Sequence, residues 1–268
     1  VRLQAPAERI IALYGALNEI LDALGLAERI AARTAADRLP PSIVDLPSIG
    51  THMRPNLELI LGARPDVVLQ MGGRAEAVAV VHKLSDYGVP AAMFRADDFD
   101  QLYDVIDRVG VLTGADHRAE ALIQAMKTRL DRVRAQTGGG PRPTVFFEVR
   151  YPNLLGAAAD SMVDAVIKAA GGRNVLTADQ KFVRLGEEEL LRLDPDLYLI
   201  QKGPMNPNPA PVDQRPHYRT LTAVQQGMVF VVDEQKYSRP GPRNADAVEE
   251  LAQLIGRAAG ESSSREGD

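Results

Sequence analysis

The chain has 268 residues, 45% of them hydrophobic and 25% charged, with a formal net charge of -5 and neither cysteine nor tryptophan. That length suits two domains of about 100–150 residues, each with its own core. The composition excludes disulfides, thiolate metal sites and cysteine nucleophiles, the acidic balance argues against a general nucleic-acid binder, and no apolar run reaches the roughly 18 residues a membrane span needs.

The opening VRLQAPAERI leads straight towards a strand and shows no signal peptide, so any export signal has been removed or left out of this sequence. Residues 9–14 (RIIALY) predict a buried strand and 18–26 a helix. Tyr14 and Gly15 then fall where a strand's carboxyl end feeds a helix, the place where open α/β sheets bind ligands. Tyr14 has two readings, a ligand contact or a half-buried packing residue. A short strand is expected near Ile30, then a polar loop over 33–47. Pro55 suits the first turn of a helix with Leu57, Ile60 and Leu61 on its apolar face, ended by Pro65. Residues 67–69 predict a strand, 75–87 a helix and 89–94 a strand, after which Asp98 or Asp100 caps a helix reaching Leu112. Strand and helix alternate, which predicts a parallel sheet with helices on its faces.

Residues 116–136 (DHRAEALIQAMKTRLDRVRAQ) predict a long helix. Ala119, Leu122, Ile123, Met126, Leu130 and Val133 recur at three- and four-residue steps along one face. Asp116 suits the cap, Arg132 and Arg134 favour the negative end of the dipole, and the run TGGGPRP stops the helix. At 1.5 Å per residue it spans roughly 30 Å. It reads as a strut between two similar lobes: an N-terminal α/β lobe over 1–113, the linking helix over 114–137, a C-terminal α/β lobe over 138–260 and a disordered polar tail over 261–268.

Beyond the strut, 144–149 (TVFFEV), 197–200 and 228–232 predict strands, and 161–170, 187–193 and 245–258 predict helices. Residues 203–221 (GPMNPNPAPVDQRPHYRTL) form a long proline-rich loop. The halves echo one another. Pro65-Asp66-Val67-Val68-Leu69 and Pro195-Asp196-Leu197-Tyr198-Leu199 stand 130 positions apart, and so do Glu58 and Glu188. A shared architecture explains the proline and the strand without requiring a carboxylate at both places. Glutamate is also a good helix former and favourable in a first turn, so a purely structural reading of the pair stands beside a functional one.

The order of lobe, single helix and lobe resembles the helical-backbone (class III) periplasmic substrate-binding proteins of ABC importers for vitamin B12, ferric siderophores and haem. The stretches that carry the likeness are RIIALYGALNEILDALGL, VDLPSIGTHMRPNLELILGARPDVVL, SMVDAVIKAAGGRNV, EEELLRLDPDLYLI and YSRPGPRNADAVEEL. The resemblance implies an α/β fold of two Rossmann-like lobes with parallel sheets, and a ligand cleft between the lobes that closes little on binding. It implies a monomer without a cofactor or catalysis of its own, on the extracytoplasmic face of the cytoplasmic membrane, either free or lipid-anchored after removal of an export signal. Its partners would be a permease and its ATPase. One glutamate from each lobe docks on the permease in this family, and Glu58 and Glu188 match those positions, with Glu187 and Glu189 as neighbours on either side.

The cleft would be lined by turns at the carboxyl ends of the strands: Tyr14, His52, Met53, Arg54, Arg74 and Arg95 in the first half. In the second half these are Arg150, Tyr151, Phe182, Arg184, Lys202, Met205, Tyr237 and Arg239, with the proline-rich loop at the mouth. So many cations in a net acidic chain suit a chelate with carboxylate, phenolate or phosphate groups. That favours a ferric siderophore over a cobalamin-type corrinoid, whose aromatic packing suits tryptophan. Haem is the alternative, with Met53 or His52 as an axial ligand. Neighbouring residues on an extended loop point apart, so both cannot easily hold one iron. A bare metal ion would need three or four converging His, Asp or Glu residues, and only His52 is well placed among His52, His82, His117 and His217. An enzyme on a similar scaffold is the rival class, but no GxSxG elbow, P-loop, GxGxxG or HExxH motif occurs.

Overall fold

The computed structural model describes residues 1–72, 75–140 and 142–265, with side chains as far as Arg257. Two compact units emerge, one of residues 1–96 and 100–125, the other of residues 97–99 and 126 onwards.

In the first unit, β1 (Ile10–Ala12), β2 (Ile30–Ala32), β3 (Val67–Met71) and β4 (Ala91–Phe94) form one sheet in the order β2-β1-β3-β4. Every pairing is parallel, with Ile10 beside Val67 and Val68 beside Ala91. Helices α1 (Gly15–Ala23), α2 (Leu57–Ala63) and α3 (Ala75–Asp86) supply the crossovers, and α4 (Phe99–Thr113) follows the last strand. Ile11, Leu13, Ile60, Val68 and Leu84 belong to the resulting core. Two boundaries differ from expectation. Gly15 already opens α1, with Tyr14 as its extended N-cap. Pro55 lies outside α2, because Asn56 caps it by accepting from the Leu59 amide at 3.2 Å.

α5 (Asp116–Thr137) is the long helix. Ala119, Met126 and Val133 are buried, and Leu122, Ile123 and Leu130 are half-buried, so the apolar stripe faces protein as its spacing requires. Asp116 is the first residue of the helix and not its cap. The division between the two units falls between Ala125 and Met126, inside this helix.

The second unit holds β5 (Thr144–Arg150), β6 (Leu155–Ala157), β7 (Arg173–Asn174), β8 (Phe182–Arg184), β9 (Leu197–Lys202) and β10 (Val229–Asp233). The order is β10-β9-β5-β6-β8, with β7 also pairing β5. This sheet is mixed, which corrects the expectation of parallel sheets in both halves. β6 runs antiparallel to both β5 and β8, since only the short turn after Arg150 separates it from β5 and a parallel return needs a crossover. Helices α6 (Met162–Ala169), α7 (Glu187–Leu193), α8 (Thr222–Gln225), α9 (Glu234–Tyr237) and α10 (Asn244–Arg265) complete the unit. α10 continues past Ala258, so residues 261–265 are helical where a disordered tail was expected. Within this unit Arg129 of α5 grips α10, reaching Asp246 at 2.5 Å and Glu249 at 2.6 and 2.9 Å.

The echo in sequence is an echo in structure. Asp66 accepts from the amides of Glu8 and Arg9 at 2.8 and 2.7 Å, just before β1. Asp196 accepts from the amide and hydroxyl of Thr144, both at 2.6 Å, where β5 begins. Each Pro-Asp pair thus fastens the start of the neighbouring strand. α2 and α7 both end on a non-glycine residue in the left-handed region, Arg64 (φ 46°) and Asp194 (φ 38°). That conformation costs roughly 1–2 kcal/mol. At Asp194 it is offset by hydrogen bonds from the Thr222 amide and hydroxyl, both at 2.7 Å.

Candidate functional site

Several of the residues named from the sequence lie in loops that follow strands: Tyr14 after β1, Arg95 after β4 and Tyr151 after β5. In the first unit a tight loop carries His52, Met53 and Arg54. Gly50 at φ 90° bridges Pro55, and an added Cβ there would lie 3.0 Å from the Arg54 carbonyl oxygen, so glycine is needed. The loop is tied to β3 by fully buried Gln70, whose amide donates to the His52 carbonyl at 3.0 Å. His52 meets the half-buried Tyr14 ring edge-on, with centroids 5.9 Å apart. Tyr14, His52 and the turn that bears Met53 are therefore brought together. Met53 is half-buried and Arg54 exposed. Arg95 is exposed directly after β4, and Arg74 lies outside the described residues.

In the second unit the structure gathers a different group. Glu148, fully buried in the middle of β5, receives a two-pronged ion pair from Arg215 at 2.5 and 3.0 Å and the Tyr198 hydroxyl at 2.6 Å. Arg215 also donates to the Ala210 carbonyl at 2.7 Å, and its guanidinium lies 3.9 Å from the Tyr151 ring centroid. The proline-rich loop is thereby pinned to the sheet. Burial, then the charge of Glu187, raises the Tyr151 phenol pKa, and its hydroxyl lies 3.4 Å from Glu187. Sequence reading passed over Glu148 and Arg215, although a lone carboxylate inside TVFFEV already required a buried partner.

A second buried network lies at the ends of β9 and β10. Gln201 donates to the Val149 carbonyl at 3.1 Å and accepts from the Ser238 hydroxyl at 2.7 Å. Glu234 accepts from the Met205 amide at 2.7 Å and so holds the 203–206 turn. Gly203 permits this, since a Cβ there would lie 2.5 Å from that of Glu234. Burial raises the Glu234 pKa above the usual carboxylate range. Met205, Arg239, Arg150 and Phe182 are half-buried, while Lys202 and Arg184 are exposed. Tyr237 is a correction. Its side chain is fully buried, 5.9 Å from Phe147 between ring centroids, so it supports the sheet and offers no ligand surface. Among the described residues no group of three or more His, Asp or Glu side chains is placed to hold a metal ion, and no helix is long and apolar enough to cross a membrane.

Glu58 and Glu188 occupy the second position of α2 and α7. Both are exposed, and among the described residues neither carboxylate has a hydrogen-bond or ion-pair partner. Burial classes over 51–70 repeat at 181–200, the one difference being exposed Asp66 against half-buried Asp196. Glu187 is half-buried beside Tyr151, and Glu189 is taken up by Arg192 at 2.6 Å.

The sequence profile described as periplasmic binding protein matches residues 10–236. The chain belongs to this family. Within it, the ABC transporter substrate-binding lipoprotein YvrC of Bacillus subtilis is 26% identical over 261 residues, 95% of this chain and 82% of that protein. The vitamin B12-binding protein of Vibrio cholerae is 24% identical over 258 residues, 93% of this chain and 90% of that protein. Among solved structures, the haem-binding protein RhuT of Roseiflexus sp. RS-1 aligns with a TM-score of 0.82 at 26% identity, covering 94% of this chain and 99% of that one. The α/β fold expected from the sequence is the fold of these periplasmic binding proteins, and the family is one of binding proteins.

Proposed function

We propose that this periplasmic binding protein is the extracytoplasmic receptor of an ABC importer, taking a bulky metal chelate on the carboxyl-edge loops of its two sheets and delivering it to the permease. The observation that carries the reading is the matched pair Glu58 and Glu188. They are exposed, unpartnered, and set at the same helical position 130 residues apart on equivalent helices. A carboxylate left without a partner at both places is well suited to meet cations on another protein, with orientation and association rate as the main gain. The hydrogen bonds made by Glu187 and Glu189 support Glu188 as the docking residue on the second helix. The protein acts as a monomer that meets its permease on the outer face of the cytoplasmic membrane and reaches the ATPase only through it; the lipoprotein name of the Bacillus relative supports that location. Replacing both residues (Glu58→Ala with Glu188→Ala) is expected to spare ligand binding and abolish stimulation of the importer's ATPase. Full stimulation by the double variant would sink the reading.

For the cargo, Arg54 and Arg95 in one unit and Arg184 and Lys202 in the other support an anionic chelate, a ferric siderophore ahead of a cobalamin-type corrinoid. A second reading, haem, is favoured by the loop that seats His52 against Tyr14 with Met53 beside it. Under that reading hemin added to the pure protein gives a sharpened Soret band that His52→Ala or Met53→Ala alters, and an unchanged spectrum removes haem. Absorbance and mass spectrometry of cargo that copurifies from the native host would decide between the chelates.

A further inference from the structure

The two glutamate-bearing helices agree in backbone and burial, yet not in the residues that flank the carboxylate on the open face. On α2 the exposed positions after Glu58 are Leu59 and Gly62, and on α7 the corresponding positions after Glu188 are Glu189 and Arg192. Leu59 is 50% exposed while Ile60 beside it is fully buried. Around Gly62 the surface is open, since an added Cβ would meet nothing within 4 Å. On α7, by contrast, Arg192 holds Glu189 through hydrogen bonds of 2.6 and 3.2 Å. The first helix thus offers one charge beside an exposed apolar side chain. The second offers ionic and hydrogen-bonding groups throughout.

A single exposed leucine is an ordinary surface feature. This one gains weight from its counterpart, because the helix and its glutamate are repeated while an ion pair on one copy is replaced by an uncharged apolar surface on the other. An apolar side chain that leaves water on docking adds binding energy in proportion to the area it buries, whereas exposed charges set encounter rate and orientation. We propose that the two faces engage the importer's permease in unequal ways. α2 is the anchor, with Leu59 entering an apolar recess next to the cation that receives Glu58. α7 is the steering face, with Glu188 meeting a cation in polar surroundings that accommodate the Glu189–Arg192 pair. The two receiving surfaces on the permease then differ in polarity, and the protein docks in one of the two orientations that a bare pair of glutamates would allow. This rests on the docking reading above and assigns a separate role to each face.

The test measures association and dissociation of the whole protein on its importer in lipid nanodiscs, at low and at high salt. Leu59→Glu, which copies the residue of the second face onto the first, is expected to raise koff about tenfold with kon within about twofold. Leu59→Ala removes the apolar surface without adding charge and is expected to raise koff several-fold, so it serves if Leu59→Glu unfolds at a lower temperature than the parent. Glu188→Gln is expected to lower kon at low salt, with the loss fading at high salt. If both Leu59 variants keep the parental koff while Glu58→Ala with Glu188→Ala abolishes binding, the unequal-face assignment is overturned and the docking reading survives. If that double glutamate variant binds like the parent, both fall together.

Discussion

Arg215 shows how a single residue can settle the conformation of a long loop. Its charge lies almost wholly out of water, with 2% of the side chain exposed, and is met by a fully buried Glu148. Taking two charges out of water is costly, and the two-pronged geometry and the bond to the Ala210 carbonyl repay part of it, while Arg215 Nε is buried without a hydrogen-bond partner among the described residues. Removing one partner is different, because it strands the other. Arg215→Met is therefore expected to destabilise the protein by roughly 3–5 kcal/mol in urea unfolding. Arg215→Met together with Glu148→Leu is expected to recover most of that loss. A single variant as stable as the parent would show that water reaches Glu148 and that the loop is not held in this way. The same residue orders its surroundings, because Tyr151 lies under its guanidinium and the Ala210 carbonyl of the 203–221 segment accepts from it.

Among the elements, the clamp from α5 to α10 gives the clearest pH dependence. The hydrogen bonds from Arg129 hold the Glu249 carboxyl below its usual range. A carboxylate depressed on folding contributes stability above its unfolded pKa, near 4.5, and that contribution is lost as pH falls through the lower folded value. Both side chains are about one-third exposed, so solvent screening limits the contribution to about 1 kcal/mol. Glu249→Gln is expected to lower stability at pH 7 by about that much and to leave it unchanged below the folded pKa, as read by denaturant titration at several pH values. An equal loss at every pH would assign the effect to packing. Elements with long periodic patterns or strong end signals were legible in the sequence. α5 followed from its stripe, and α7 was placed at 187–193 because Pro195 and a first turn of glutamates bracket it. β6 and β8 were not legible. Three residues each carry too little periodicity, and β8 finds its partner, β6, on the far side of α6. The same limit applies to the site. Carboxyl-edge positions could be read from strand order, but Tyr237 lost its place there to burial against Phe147, and the partner of Glu148 lay 67 residues away in a segment that reads as loop.

For the whole molecule, the division between the units falls inside a continuous helix, between Ala125 and Met126. The consequence concerns cooperativity. The backbone hydrogen bonds of the turn that spans this boundary join residues counted in different units, so melting either body is expected to fray the end of the other. Calorimetry is expected to record a single endotherm. Placing proline at exposed position 127 (Lys127→Pro) removes one of those bonds, the one from its amide to the Ile123 carbonyl, at a local cost of about 3 kcal/mol, and is expected to split that endotherm into two. Two transitions already present in the parent would mean that the helix carries the chain from one body to the other without carrying thermal stability between them.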